Sequence, residues 1–298
     1  MRVGYLGPEG TNSHEALLST GAEGTHVALD TVHDVVLAVQ DGRVDRALAP
    51  LENSVEGGVN ATVDALTFSA PGVVIVGEVV LAVHHCLVAA PGARSESLAT
   101  VLSHAQGLAQ CASALRRLVP GARLEAVAST AVAVRRAAAE PGVGAVGTRT
   151  AAARYGAAVL AADIEDQPDN TTRFVWLAPV GTTPDGAPTK SSIVFHGAGD
   201  ASPGWLVRCL SEFAFRGVNL TRIESRPLRS VLGHYAFHVD LDGAPGQQAV
   251  DEAVDALRAL FLGGHVGQAA LLSIAWSVGI TALFGTLSVL RYRSTASV

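Results

Sequence analysis

Cysteine is scarce in this chain of 298 residues: Cys86, Cys111 and Cys209 are odd in number, far apart and at no metal-ligand spacing. That excludes a disulfide framework or zinc cluster and predicts small buried side chains in a reduced, cytoplasmic protein. Dense Lys/Arg runs are also missing, and a net charge of -6 with a pI of 5.9 argues against nucleic acid as a partner. The N-terminus carries one basic side chain, Arg2, and reaches Glu9 without a long apolar stretch, so no secretory signal is expected.

What the chain has is length and alternation. There is room for two domains. Short β-rich runs at residues 1–6, 27–29 and 46–51 alternate with helical patterns from His14, over 32–40 and over 60–68. This is the pattern of an α/β fold with a mostly parallel sheet covered by helices. The β-rich run 73–88, broken by Glu78, predicts a crossover into a second lobe. There, strands at 124–128 and 144–147 alternate with helices at 131–139 and 150–155, and 159–164 leads back. Residues 181–189, rich in Gly, Pro and Thr, read as a linker. Beyond them the order is strand 191–196, helix 204–215, strands 219–225 and 234–241, and helix 247–261, a βαββα series on its way to a ferredoxin-like unit.

Polar residues gather where strands begin or end. Asn170-Thr171-Thr172-Arg173-Phe174 opens into an apolar strand at 174–178, and the mouth of a sheet is where open α/β folds bind ligands. Asn and Thr supply neutral hydrogen bonds and Arg a planar fork matched to a carboxylate, so the implied ligand is a small anion. Gly7-Pro8-Glu9-Gly10-Thr11-Asn12-Ser13 joins a strand to a helix N-terminus and aims N–H groups at an anion. It is neither the dinucleotide fingerprint nor a phosphate loop ending in Gly-Lys-Ser/Thr, so no nucleotide is expected there. Glu52-Asn53-Ser54 follows the third strand at the same sheet edge, and Glu52 reads equally as an ion-pair or capping group. Ser103-His104-Ala105-Gln106-Gly107 with Gln110, and Ser129-Thr130, set polar groups at helix starts in the second lobe, although a lone His is most often structural. Clusters divided between two lobes predict a site in the cleft.

Together these motifs resemble the prephenate dehydratase family with a C-terminal ACT regulatory domain, over about residues 1–262. The resemblance rests on Gly7 to Ser13, on Pro50-Leu51-Glu52-Asn53-Ser54-Val55-Glu56-Gly57-Gly58, on His104-Ala105-Gln106 with Gln110-Cys111, on Ser129-Thr130-Ala131 and on Asn170 to Phe174. Further on, Gly217-Val218-Asn219-Leu220 and Glu224-Ser225-Arg226-Pro227 are similar to the family's amino-acid-sensing motif. The implied architecture is a two-lobed α/β catalytic domain like the periplasmic binding proteins (1–180), a linker (181–189), an α+β ferredoxin-like ACT domain (190–264) and an atypical apolar helical tail (265–298).

The implied activity is that of a cytoplasmic lyase in phenylalanine biosynthesis, converting prephenate to phenylpyruvate, water and carbon dioxide, with phenylalanine as effector and a homodimer or homotetramer as assembly. Loss of carbon dioxide leaves electrons that expel the ring hydroxyl, so no metal or redox cofactor is required. The site must supply a proton for that hydroxyl and a grip on two carboxylates. Thr172 corresponds to the family's catalytic Thr and Arg173 to a carboxylate holder. Phe174, Asn170, Thr11, Ser13, Glu52, Asn53, Ser54, His104, Gln106, Ser129 and Thr130 carry over as the substrate shell. Gly204, Leu206, Asn219, Leu220, Glu224, Ser225, Arg226 and Pro227 carry over as the effector site.

Two positions depart from the family. Asn12 stands where Phe is usual, and Trp205 where Ala is common, so an indole is expected to fill or reshape the effector pocket. Competing readings are a non-catalytic amino-acid or keto-acid sensor and a prephenate decarboxylase that does not aromatise; the donor Thr172 argues against both. Residues 266–290 carry no formal charge and precede Arg291 and Arg293, long enough for a membrane-spanning helix. Membrane contact there conflicts with a cytoplasmic catalytic domain, because the basic end would favour a cytoplasmic C-terminus too; the competing readings are a strand followed by a buried or oligomer-facing helix and a fused or frameshifted gene end.

Overall fold

The computed structural model describes residues 1–184, 186–197, 202–230 and 232–261, so the expected tail helix and the closing strand of the ferredoxin-like unit lie outside the described residues. The chain divides into two compact units, Met1–Pro188 and a second beginning at Thr189.

The first unit is two lobes, each built on its own sheet. One contains β1 (Arg2–Leu6), α1 (Asn12–Ser19), β2 (Thr25–Leu29), α2 (Val32–Gln40), β3 (Arg46–Asn53), β4 (Gly57–Gly58), α3 (Asn60–Phe68) and β5 (Val73–Ala82). The other contains β6 (Cys86–Ala89), β7 (Thr100–Ser103), α4 (Ala105–Gln110), α5 (Ala112–Leu118), β8 (Arg123–Ala126), α6 (Thr130–Ala139), β9 (Val143–Gly147), α7 (Arg149–Tyr155) and β10 (Ala158–Ala161). The chain then returns as β11 (Thr171–Pro179) to the first sheet, whose order is β2-β1-β3-β11-β5 with β4 paired to β3; the second sheet runs β10-β6-β9-β7-β8.

Alternation along the central strands decides which helices they meet. Leu48 and Phe174 turn to one face with Val3, Tyr5 and Leu17 of β1 and α1, whereas Ala47, Ala49, Val175 and Leu177 turn to the other with Val35, Val36, Val39 and Val63 of α2 and α3. Each fully buried large apolar side chain contributes about 1.5–3 kcal/mol, so the two faces together fix the register. Side-chain caps start the helices: Thr11 accepts the His14 N–H, Thr31 that of Asp34, Ser129 that of Val132 and Thr148 that of Ala151.

Two expectations change. Residues 171–173 are not a loop before the strand but its first residues, because β11 pairs antiparallel with both β3 and β5 and their ladders take in the polar residues. Both sheets are also mixed, since β11 runs against β3 and β5, and β6 runs against β9 and β10. The cysteines are buried and unpaired, as expected; burial, then the nearby Glu165 and Asp166, pushes the Cys111 thiol up to about 12.

The second unit comprises β12 (Lys190–Phe195), α8 (Trp205–Ala214), β13 (Leu220–Pro227), β14 (Tyr235–Asp242) and α9 (Gln248–Phe261), with an antiparallel sheet in the order β12-β14-β13. Its core joins Phe195, Trp205, Phe213, Val239, Leu241 and Leu257. Among the described residues no helix is long and apolar enough to cross a membrane.

The lobes touch where the loop before α1 meets α7. Thr148 Oγ1 donates to the Gly10 carbonyl at 3.0 Å, Tyr155 OH donates to the Glu9 carbonyl at 2.8 Å, and Arg154 pairs with Glu9. Gly10 has φ of 88°, and a Cβ there would lie 3.0 Å from the Ala151 backbone. Gly10→Ala is expected to cost about 2 kcal/mol of stability through strained backbone and separated lobes, read as a lower urea midpoint.

Candidate active site

A β-bulge builds the centre of the site. Arg173 pairs with Glu52 and Phe174 with Pro50, so Leu51 is an extra residue in β3. Without it, alternation would put Asn53 on the face of Leu51 and Ala49. The extra residue reverses the phase and turns Asn53 to the face of Thr172 and Phe174, the face covered by α1.

Asn53 is 7% exposed, and its Oδ1 accepts the N–H groups of Val55 and Glu56, each at 3.0 Å. That fixes the amide orientation and aims Nδ2 at Asn170 Oδ1 (2.7 Å), Thr172 Oγ1 (2.9 Å) and the Thr171 carbonyl (3.1 Å). Thr172 Oγ1 therefore accepts. Its own hydrogen donates to no acceptor among the described residues, which leaves a buried hydroxyl oriented to donate to a ligand.

The network continues across the lobes. Asn170, 2% exposed, donates from Nδ2 to Gln110 Oε1 at 3.2 Å, and His85 Nε2 lies 3.0 Å from the same oxygen. Gln110 Nε2 donates to Glu56 Oε1 at 3.3 Å. Since Gln110 Oε1 only accepts, the His85 proton sits on Nε2, and buried Nδ1 has no partner. Gln110 belongs to the second lobe, Glu56 and Asn53 to the first. His85 was not identified from sequence, and Glu56 and Gln110 only as motif members, because their roles depend on which strands and helices meet.

Arg173 looks the other way. Its Nε donates to Glu78 Oε2 at 2.7 Å, and Nη1 lies 3.8 Å from Glu52 Oε2. Successive strand residues face opposite sides, so Thr172 and Arg173 do not share a face. Phe174 is 1% exposed and packs in the core with Tyr5 and Leu48. Ser54 clamps the entry to β11, donating to the Asp169 carbonyl and accepting the Thr171 N–H. Thr11 is a cap, Ser13 is buried in the first turn of α1, and Ser129 caps α6.

Parallel β7 and β8 end at one edge, which sets the starts of α4 and α6 side by side: a Cβ on Gly107 would lie 3.7 Å from Thr130 Cγ2. His104, Gln106 and Thr130 sit there, and their side chains make no hydrogen bond among the described residues. No hydrogen bond connects these groups, or Thr11 and Ser13, to Thr172.

In the second unit, Gly204 takes a left-handed conformation (φ 75°) before α8, and Trp205 turns into the core among Phe195, Phe237 and Phe261, with ring centroids 5.5–6.1 Å away. Its Nε1 is buried without a partner. A cavity of about 250 Å³ remains beside it, lined by Gly204, Leu206, Tyr235 and Phe237 among others. Asn219, Leu220, Glu224, Ser225, Arg226 and Pro227 are not in that lining; Asn219 donates to Asp242 Oδ2 at 2.8 Å and Glu224 pairs with Arg222.

Asn53→Asp keeps the shape but sets a carboxylate against three acceptors. It is expected to lower stability by about 3 kcal/mol and to abolish most of any activity that depends on Thr172, measured by chemical denaturation and by the assay below.

The profile described as "Prephenate dehydratase" matches residues 3–181. Prephenate dehydratase of Bacillus subtilis (strain 168) is 37% identical over 274 residues, covering 87% of this chain and 95% of that protein. Among solved structures, the prephenate dehydratase of Arthrobacter aurescens in complex with L-Phe superposes with a TM-score of 0.79 at 34% identity, over 88% of this chain and 86% of that one. GqqA, described as a novel type of quorum quenching acylase, superposes with a TM-score of 0.77 at 29% identity, over 86% and 93%. With the profile spanning more than half of its length and the Bacillus enzyme aligned almost end to end, the chain belongs to the prephenate dehydratase family.

Proposed function

We propose that this protein is a prephenate dehydratase of phenylalanine biosynthesis, acting in the cleft between the two lobes of Met1–Pro188. The observation that carries the reading is the Thr172 hydroxyl, held as an acceptor by the pinned Asn53 amide so that its proton faces outward. As carbon dioxide leaves, electrons flow into the ring and expel the hydroxyl, and a hydrogen bond from Thr172 stabilises charge developing on the departing oxygen. A Thr hydroxyl is a very weak acid, so it donates and relays. His104 is the titratable member of the shell without a protein partner among the described residues, and it is suited to supply the proton.

The substrate's carboxylates would meet N–H groups at the starts of α1 and α6, beside Thr11, Ser13, Ser129 and Thr130. Arg173 would reach one only by exchanging Glu78 for it. We further infer a cytoplasmic enzyme working as a homodimer or homotetramer. Because the fold is shared with a protein described as an acylase, the reaction has to be read from the site. An ultraviolet assay for phenylpyruvate decides: a sensor gives no turnover, and a non-aromatising decarboxylase releases carbon dioxide alone. Thr172→Ala should lose at least about 100-fold in kcat with KM little changed; near-normal turnover in this variant would overturn the assignment.

Phenylalanine is the proposed effector, lying in the cavity beside Gly204 and Leu206 with its carboxylate on the N–H groups that open α8. Trp205 packs in the core and forms part of the cavity wall without filling the cavity, which favours retained binding. Isothermal titration should show saturable phenylalanine binding, weakened by Leu206→Trp; no heat of binding to the wild-type protein would remove phenylalanine as effector.

A further inference from the structure

The two covalent connections between the lobes, residues 83–85 outward and 162–170 in return, run side by side: the Val83 N–H donates to the Asn170 carbonyl and the Ile164 N–H to the His85 carbonyl. They carry a group of side chains that the proposed reaction does not use. His84 Nδ1 lies 2.8 Å from Glu165 Oε1 and 3.7 Å from Asp163 Oδ1, and one donor atom from each of the three residues falls within 4.8 Å of the others. Around an ion with bonds of about 2.1 Å, tetrahedral donors stand about 3.4 Å apart, so the metal-free spacing lies close to a coordination shell.

The remote oxygens are already anchored from outside the group. Glu165 Oε2 accepts the His85 N–H at 2.9 Å, and Arg149 lies 3.5 Å from Asp163 Oδ2. Such partners orient metal-binding carboxylates, and here they leave Oε1, Oδ1 and the imidazole nitrogen converging. The Glu165 side chain is 4% exposed, whereas those of His84 and Asp163 are more than half exposed, so one side of the group is open to water. One nitrogen and two carboxylate oxygens suit a borderline divalent ion with water in the fourth position, and they are too few oxygens for calcium. The nearby Arg149 guanidinium opposes a bound dication and lowers its affinity.

We propose that His84, Asp163 and Glu165 form a divalent-metal site, matched best to Zn2+, that staples the two connections and stiffens the hinge between the lobes. None of the three ligands is a side chain of the Thr172 network, which Glu165 meets only at the His85 N–H, and the proposal does not depend on the proposed reaction.

The test is titration of tag-free, chelator-treated full-length protein with ZnCl2, with Co2+ absorption as a direct report of coordination. One saturating equivalent is expected, with visible Co2+ bands of a low-coordinate site and a Tm rise of about 5 °C at a hundredfold excess over Kd. His84→Ala and Asp163→Asn, both at exposed positions and checked for unchanged circular dichroism, should each weaken binding at least tenfold. Absence of saturable binding to the wild-type protein, or unchanged affinity in His84→Ala, would overturn the proposal.

Discussion

One extra residue in a central strand carries the site. Leu51 interrupts the pairing of β3 with β11, and only because of that bulge does Asn53 face Thr172. The same amide is pinned by two backbone N–H groups and in turn holds Asn170, the Thr171 carbonyl and the Thr172 hydroxyl. An unpaired amide at this depth would be costly, so the arrangement is satisfied as a whole or not at all. The Thr172 hydroxyl has a lone pair occupied by Asn53 and a proton with no acceptor among the described residues.

The two lobes share this network. Gln110 accepts from Asn170 and His85 and donates to Glu56, so a relative movement of the lobes reaches the Thr172 environment through two amides. On the opposite face of the first sheet, Arg173 ties Glu52 of β3 and Glu78 of β5 across β11. Adjacent residues of one motif thus do different work: Thr172 points at the α1 side, Arg173 braces three strands from behind, and Phe174 fills the core.

In the second unit an aromatic substitution is absorbed by burial. Trp205 packs tilted or edge-on against three phenylalanines and leaves its indole N–H unsatisfied, yet the cavity next to Gly204 and Leu206 stays open. The left-handed turn at Gly204 lets the chain enter α8 with the indole directed inward.

Sequence by itself determined most of the order of elements, the division into an early and a later lobe, and the polar clusters, since these follow from local period, turn chemistry and capping, but it did not mark the central strand β7. The helix Val32–Gln40 starts at a cap beside it, where Thr31 accepts the Asp34 N–H. It also determined the family, because ordered motifs such as Glu52-Asn53-Ser54 and Thr172-Arg173-Phe174 need no coordinates to be matched. Tertiary structure alone decided which motif members cooperate. That Arg173 turns from Thr172, that Asn53 turns toward it, and that His85 and Gln110 join the network depend on a bulge, an antiparallel return strand and two adjacent crossings. Each is a pairing between segments more than twenty residues apart, and no local pattern of side chains encodes it.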